Sequence, residues 1–251
     1  MAKLFSLLVA VALVIACAAQ QTAPAQNSPA SSQSDETDPH VILWRIARQC
    51  KESLTKDSGC RAYVADGDQE YAIIKDNSPV KPKAYLIIPV SRVTGIEDPR
   101  VLTAPLSKLW QSAWLWAAEY PGFPPSRTGL EINSAMARSQ NQLHIHISCV
   151  LPEVTDALSK ADIPSDPQKA ITMTFPSNHS TYRVVRVDNL RDANSPFIVV
   201  GKMAGVDANN MKDQSILVVA AQKQPGFYVL DTTAHGPGTG YAEDLLDQKC
   251  Q

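Results

Sequence analysis

Residues 140–149, Q-N-Q-L-H-I-H-I-S-C, alternate polar and apolar side chains. Such alternation is typical of a half-buried β-strand, whose side chains point to opposite faces in turn. Two histidines are expected on the polar face, about 7 Å apart, because two strand residues span that distance. That face carries Gln142, His144, His146 and Ser148. The stretch therefore predicts a sheet with a histidine-bearing face.

Two of the five histidines in the chain lie within three residues of each other. Histidine is the side chain whose ordinary pKa lies near neutrality, so three interpretations compete. The pair is a nucleophile with its polar neighbour, a metal pair, or two polar residues on a solvated sheet face. The metal interpretation is the weakest, because no H-E-x-x-H or paired C-x-x-C spacing supplies the further ligands of a zinc site. We predict no metal.

Size and charge exclude some classes of partner. The chain has 251 residues and a formal net charge of -2. This length allows one large domain or two small ones, and the charge disfavours a polyanion as the main partner. We predict no nucleic-acid partner, and the oligomeric state stays open.

Residues 1–17 predict an export signal, with a lone lysine followed by an apolar run too short for a comfortable membrane span. The ending V-I-A-C resembles a bacterial lipobox, in which Cys17 is lipidated. The alternative is ordinary cleavage after Ala16 or Ala18. Either reading predicts an extracytoplasmic, periplasmic-side protein, and lipidation would hold it at a membrane surface.

Residues 18–39 are rich in Gln, Ala, Ser and Pro and predict a flexible linker, so the folded domain is expected over residues 40–251. Beyond Cys17 the chain has four cysteines, which predict two disulfides in an oxidising compartment. Three pairings are open. Cys50 with Cys60 is the local choice, and Cys149 with Cys250 would then join the C-terminus to the histidine strand.

Periodicity predicts an α+β chain, with strands that form a sheet and helices that pack on it. In the first half we expect helices over residues 41–54 and 105–120, with the tryptophans of the second helix packed in the core. Strands are expected at residues 61–65, 71–75, 84–90, 129–133 and 143–150. In the second half we expect helices at 153–160 and 241–248 and strands at 182–187, 197–202, 215–222 and 227–232. These later strands form a second, degenerate sheet unit or extend the first sheet.

Three segments of the chain carry motifs that resemble those of one protein superfamily. They are residues 71–76 with 84–92, residues 130–133 (L-E-I-N), and residues 137–149, in which S-Q-N precedes H-I-H-I-S-C. Together they resemble the histidine-triad (HIT) superfamily, and within it the CDP-diacylglycerol pyrophosphatase branch. The resemblance implies a HIT-like antiparallel sheet with flanking helices, extended by a C-terminal β-rich region. The four cysteines and the membrane-targeting segment fit the same branch.

The superfamily pattern is His-φ-His-φ-His, with the middle histidine as nucleophile. Aligned on Asn133 and Ser139, this chain has His144 in the middle, His146 third and Gln142 in place of the first histidine. An alternative register makes His146 the nucleophile with Ser148 third. The departure at Gln142 puts the orientation of the nucleophile in question.

The resemblance implies hydrolysis of CDP-diacylglycerol to CMP and phosphatidate through a phosphohistidine, in phospholipid metabolism. It implies His144 and His146 as catalytic residues and no cofactor. The implied substrate-binding residues are Asn133, Arg138, Ser139, Gln142, Lys75, Asp76 and Arg92. Two alternatives stay open: a secreted HIT-like hydrolase of soluble nucleotides, and a non-catalytic nucleotide-binding lipoprotein.

Overall fold

The computed structural model describes residues 37–54, 59–120, 123–236 and 239–251. The predicted signal segment, Cys17 and residues 18–36 of the predicted linker lie outside these ranges. In the described part of the chain no helix is long and apolar enough to cross a membrane.

A single ten-stranded sheet runs through the described residues, and all its pairings are antiparallel. The strand order is β1-β2-β3-β5-β4-β8-β9-β7-β6, and β10 pairs with β5. The strands are β1 Cys60–Asp66, β2 Gln69–Lys75, β3 Tyr85–Pro89, β4 Thr128–Ile132, β5 Ile145–Val150, β6 Ile171–Thr174, β7 Thr181–Val187, β8 Gln214–Ala220, β9 Phe227–Thr233 and β10 Leu246–Asp247. The sheet confirms the predicted α+β class.

Helices cover both faces of this sheet. They are α1 Ile42–Glu52, α2 Leu109–Glu119, α3 Pro152–Lys160 and α4 Pro196–Val200. One face forms the main core with α2 and α4, where Trp110 is fully buried against Phe197. The other face carries two separate apolar clusters, one under α1 and one under α3. His146 of β5, and His144 directly before this strand, lie on this second face, between the two clusters.

The C-terminal strands extend the first sheet, since β8 pairs with β4 from Gly129 opposite Val219 to Ile132 opposite Ile216. This pairing settles the alternative that the sequence left open. It also places β5 well inside the sheet, between β3 and β4. All six residues of β5 are buried, so the half-buried strand that alternation predicts is wrong. Alternation identifies which side chains share a face, but it does not reveal what covers that face.

Two other predicted elements differ from the structure. Residues 197–202 were expected to form a strand, because Val and Ile favour strands, but residues Pro196–Val200 form α4. Pro196 at the start of the segment favours a helix, and packing against α2 buries Phe197. The last predicted helix is one 3-10 turn, Ala242–Leu245, followed by β10. Strand β6 was missed because it has only four residues, none of them buried.

Both predicted disulfides form, and of the three possible pairings the structure has the one that contains the local Cys50–Cys60 bond. Cys50–Cys60 joins α1 to β1. Cys149–Cys250 joins β5 to the end of the chain, with 5.1 Å between the two Cα atoms. The second bond and β10 together bring the C-terminal segment back onto the histidine strand.

Candidate active site

A cavity of about 270 Å³ lies on the second face of the sheet, between its two apolar clusters. Five separate segments of the chain contribute to its walls. It is lined by Leu43, Asp76, Lys81, Leu86, Asn133, Ala137, Arg138, Ser139, Gln140, His144, His146 and Glu243. The lining includes six of the site residues expected from the sequence: His144, His146, Asn133, Arg138, Ser139 and Asp76.

His144 is held in one tautomer by the backbone. Its Nδ1 lies 2.7 Å from the carbonyl oxygen of Gln142, which can only accept a hydrogen bond. Nδ1 therefore carries the proton and donates it, which leaves a lone pair on Nε2. Burial lowers the pKa of His144 below its ordinary value, so the imidazole is neutral near pH 7. A neutral imidazole with a free nitrogen can attack phosphorus without first losing a proton.

His146 lies between two carboxyl groups. Its Nδ1 is 3.6 Å from Oε1 of Glu243, and its Nε2 is 3.9 Å from Oε2 of Glu131. The rings of His144 and His146 have their centroids 5.0 Å apart. Burial lowers the pKa of His146 to about 4, so this ring is also neutral near pH 7. It carries one proton and faces a different carboxyl group with each nitrogen.

Glu131 is the directly opposed residue of His146 across β4 and β5, which explains why their side chains meet. Its side chain is fully buried, and neither oxygen has a hydrogen-bond partner in the described residues. Burial, and then the nearby charge of Glu243, raise the pKa of Glu131 well above its ordinary value. The carboxyl group therefore keeps its proton at pH values at which an ordinary glutamate is ionised. A lone acid in an otherwise apolar strand was the sequence signal for this residue.

Replacing Glu131 by glutamine is expected to stabilise the fold increasingly as pH rises from the ordinary pKa of a glutamate towards the raised pKa of folded Glu131. Above the ordinary pKa of a glutamate, unfolded Glu131 loses its proton while folded Glu131 keeps it, so folding of the unsubstituted protein becomes less favourable. The difference in unfolding free energy should grow by about 1.4 kcal/mol per pH unit over that window. Urea unfolding of both proteins at several pH values measures it. A constant difference would mean that folded Glu131 is ionised.

Glu243 and Lys81 complete the site and had no signal in the sequence. The Lys81 ammonium makes an ion pair with Oε1 of Glu243 and lies 4.0 Å from Oδ2 of Asp76. The Asn133 amide donates to Oε2 of Glu243 over 3.1 Å. Burial alone would raise the pKa of Glu243, but His146, Lys81 and Asn133 outweigh it and lower the pKa to about 2. Glu243 is therefore ionised, in contrast to Glu131.

Arg138 reaches the cavity but is also committed to an ion pair. Its guanidinium makes two hydrogen bonds to Glu97, of 2.7 and 2.6 Å. Gly95 makes room for this pair, since a Cβ atom there would lie 2.1 Å from Nη1 of Arg138. Arg138 is thus a fixed cation at the wall rather than a mobile surface residue.

Three predicted substrate-binding residues do not line the cavity. The Lys75 ammonium donates to the carbonyl oxygens of Asp76, Lys81 and Ala84. Arg92 donates to the carbonyl of Asn141. These two residues, and Gln142, therefore hold the segments that carry lining residues rather than face the cavity themselves.

A model of the CDP-diacylglycerol pyrophosphatase family matches residues 38–251. The chain belongs to this family. A CDP-diacylglycerol pyrophosphatase of Yersinia pestis is 38% identical over 125 residues, which are 47% of this chain and 47% of that protein. The chain therefore aligns with about half the length of that relative. A probable CDP-diacylglycerol pyrophosphatase of Mycobacterium leprae is 28% identical over 98% of this chain and 92% of its own length.

Among solved structures, yeast Ap4A phosphorylase in complex with AMP has a TM-score of 0.42 and 14% sequence identity with this chain. The match covers 73% of this chain and 63% of that structure.

In this CDP-diacylglycerol pyrophosphatase family member, the position of Ser148 favours the register with His144 in the middle. Ser148 does not line the cavity, and its hydroxyl donates to the carbonyl oxygens of Lys83 and Asp247 instead. The alternative register would need Ser148 beside the reacting phosphate. His144 and His146 both line the cavity, as the preferred register requires.

Gln142 stands where the superfamily pattern has its first histidine, and its side chain is fully occupied. Its amide nitrogen donates to the carbonyls of Pro89 and Ser91, and its oxygen accepts from the backbone of Val93 and from Arg92. The contact that orients His144 comes from the main chain of Gln142. The side chain of Gln142 therefore plays no part in orienting the ring of His144.

Replacing Gln142 by histidine is expected to lower the unfolding free energy by about 1–3 kcal/mol without raising kcat. Two ring nitrogens cannot replace four amide hydrogen bonds, so buried backbone groups lose their partners. Urea unfolding and steady-state rates measure the two effects. A large gain in kcat would instead show that the missing histidine is a functional loss in this family member.

Glu131, His146 and Glu243 could in principle hold a metal ion, because one ligand atom from each lies within 4.8 Å of the others. One contact argues against it. The Lys81 ammonium already provides the cation beside Glu243.

Incubation with EDTA is therefore expected to leave turnover unchanged. The dialysed protein, assayed with and without EDTA and then with added Mn²⁺ or Zn²⁺, provides the measurement. Loss of activity with EDTA and its recovery with one of these ions would assign the cluster to a metal.

Proposed function

We propose that this protein hydrolyses CDP-diacylglycerol to CMP and phosphatidate through a phosphohistidine at His144. The observation that carries the proposal is the hydrogen bond from Nδ1 of His144 to the carbonyl of Gln142, which leaves Nε2 free as a nucleophile inside the cavity. Family membership supports the choice of substrate. The proposed substrate-binding residues are Asn133, Arg138, Ser139, Asp76 and Lys81.

The first half-reaction forms a bond between Nε2 of His144 and a phosphorus atom and breaks the anhydride P–O bond. Phosphoryl transfer needs little from a protein beyond positioning and stabilisation of charge. Lys81 and Arg138 supply the positive charges at the wall, and the Ser139 hydroxyl supplies a further donor.

His146 is proposed to move the proton that the leaving phosphate takes. Ionised Glu243 favours the tautomer with the proton on Nδ1. The protonated carboxyl group of Glu131 lies 3.9 Å from Nε2 and has to move closer before it passes its proton to that nitrogen. As the P–O bond breaks, Nδ1 gives its proton to the leaving oxygen and Nε2 receives one from Glu131. The imidazole stays neutral throughout, which agrees with its burial.

The second half-reaction restores both groups. After the first step His146 has a lone pair on Nδ1, so it can accept a proton from the water that attacks the phosphohistidine. The N–P bond breaks, Nε2 of His146 returns a proton to Glu131, and His144 is released as a neutral ring. Glu131 thus lends one proton to His146 in the first step and regains it in the second.

We propose that this activity takes place at an extracytoplasmic membrane surface. Both disulfides are consistent with an extracytoplasmic location. The apolar run and the V-I-A-C ending at Cys17 support an export signal over residues 1–17 and a lipid anchor there, followed by a linker over 18–39 and the catalytic domain over 40–251.

The deciding experiment is incubation of the purified protein with CDP-diacylglycerol in detergent micelles, followed by detection of CMP and phosphatidate. Equimolar release of both products is the expected result. Faster release from a soluble dinucleotide would favour a secreted nucleotide hydrolase instead. Binding of CMP with no product from either substrate would favour a non-catalytic binding protein.

A further inference from the structure

Three exposed apolar residues lie next to the walls of the cavity. Six large hydrophobic residues are exposed in the described part of the chain, and three of them each directly precede a residue that lines the cavity. We call these three the apolar rim: Ile42 before Leu43, Val80 before Lys81, and Met136 before Ala137. Neighbouring Cα atoms are about 3.8 Å apart, so each rim residue lies within one residue of the cavity wall.

The rim residues come from three segments that are distant in sequence. Ile42 begins α1, Val80 lies in the loop between β2 and β3, and Met136 lies in the turn after β4. Their exposed fractions are 41%, 68% and 45%. Single exposed apolar residues are ordinary on protein surfaces, but three of them next to the walls of one cavity favour an interaction site.

The size and the polarity of the cavity limit what it can hold. Its volume of about 270 Å³ is close to the lower end for small-molecule sites, and most of its lining is polar or charged. A nucleotide headgroup with its phosphates suits such a space. The acyl chains of a diacylglycerol do not, so they must remain outside the cavity, where the rim lies.

The N-terminal segment joins the domain beside this opening. The carbonyl of His40 accepts a 2.6 Å hydrogen bond from the backbone of Asn141, and the carbonyl of Pro39 accepts one from the side chain of Gln140, which lines the cavity. Residues 4–16, the apolar run of the predicted signal, precede this junction in the chain. A membrane attachment through that segment would tether the domain to a bilayer by a chain that joins it beside the cavity.

We propose that the apolar rim inserts into the lipid surface that contains the substrate. The acyl chains then stay in the bilayer while the headgroup enters the cavity between the three rim residues. This inference rests on the proposed function and adds to it the surface that contacts the membrane. Loss of rim contacts should weaken the productive encounter with a bilayer but not the chemistry inside the cavity.

The test compares two substrates. One is CDP-diacylglycerol in vesicles of phosphatidylcholine and phosphatidylglycerol, and the other is a short-chain CDP-diacylglycerol dissolved as monomers. The full-length protein carries Ile42→Ser, Val80→Ser and Met136→Ser together. We expect its rate on vesicles to fall about tenfold or more, while its rate on the soluble substrate stays unchanged.

A matched control removes two exposed leucines that do not adjoin the cavity. Leu102 and Leu115 are 42% and 54% exposed, and neither is next to a lining residue. The variant with Leu102→Ser and Leu115→Ser should keep the ratio of vesicle rate to soluble rate seen in the unsubstituted protein.

An equal ratio in the rim variant and in the control variant would overturn the proposal for the rim. If the triple variant lost activity on both substrates, Val80→Ser alone, at the most exposed rim position, would decide by the same ratio. Absence of turnover of both substrates by the unsubstituted protein is a different result, because it would overturn the proposed function itself.

Discussion

Replacement of His144 by alanine is expected to lower turnover of CDP-diacylglycerol by roughly 10⁴-fold or more. His144 is the only histidine of the described cavity whose tautomer is fixed by a backbone carbonyl. No other residue can take its place in the proposed covalent step. The fold should remain intact, because the lost hydrogen bond is made to a neighbouring residue and leaves one carbonyl without its partner.

The measurement uses CDP-diacylglycerol labelled with ³²P in one or the other phosphate. Label that remains on the unsubstituted protein after an alkaline quench reports a phosphohistidine, and the position of the retained label identifies the phosphorus that is attacked. The His144→Ala variant should retain none. His235→Ala is a suitable control, because His235 is exposed and does not line this cavity.

Turnover at the unsubstituted rate by the His144→Ala variant would contradict the assignment of the nucleophile. Label that persisted on the variant and disappeared only when His146 was also replaced would favour the alternative register. Thermal unfolding of each variant separates a chemical loss from a loss of the folded state.

Much of the site could be predicted because its parts are local. The alternation in residues 140–149 identifies the side chains that share a face, and the segment from Asn133 to Ser139 precedes them directly in the chain. Asp76 follows a strand with its own clear pattern. These residues reach the cavity through secondary structure that a short stretch of sequence specifies.

Lys81 and Glu243 could not be predicted because they meet only through the tertiary fold. They are 162 residues apart, and their ion pair requires the C-terminal segment to return to β5 through β10 and the Cys149–Cys250 bond. No periodicity encodes such a contact. The burial of β5 on both faces has the same origin, since the groups that cover the histidines come from distant segments.

The protonation states of the histidines and glutamates in the site follow from the burial of this face of the sheet by distant segments. A histidine on a solvated face would titrate near its ordinary pKa, whereas the buried His146 remains neutral down to about pH 4. Glu131 and Glu243 have opposite charge states for a related reason. Glu131 is buried without a polar partner, and Glu243 is paired with Lys81 and Asn133. The chemistry of the site therefore depends on long-range packing more than on the motif.

Replacement of His146 by asparagine is expected to lower turnover by about 10²–10⁴-fold, the usual contribution of a group that transfers a proton in the transition state. Both half-reactions should slow, because the ring is proposed to give a proton to the leaving phosphate and later to take one from water. Rapid-quench measurement of the ³²P label reports the formation and the decay of the phosphohistidine separately. Slower decay with unchanged formation would restrict His146 to the second step.

Glu131 should act only through His146, and a double-mutant cycle tests this dependence. Glu131→Gln alone is expected to lower turnover less than His146→Asn, because the ring of His146 remains in place although the amide beside it cannot give up a proton. The double variant should then be no slower than His146→Asn alone, since the stored proton has no acceptor once the ring is absent. If the two losses multiplied instead, Glu131 would influence the reaction by a separate route, and the proton path from Glu131 through His146 would be wrong.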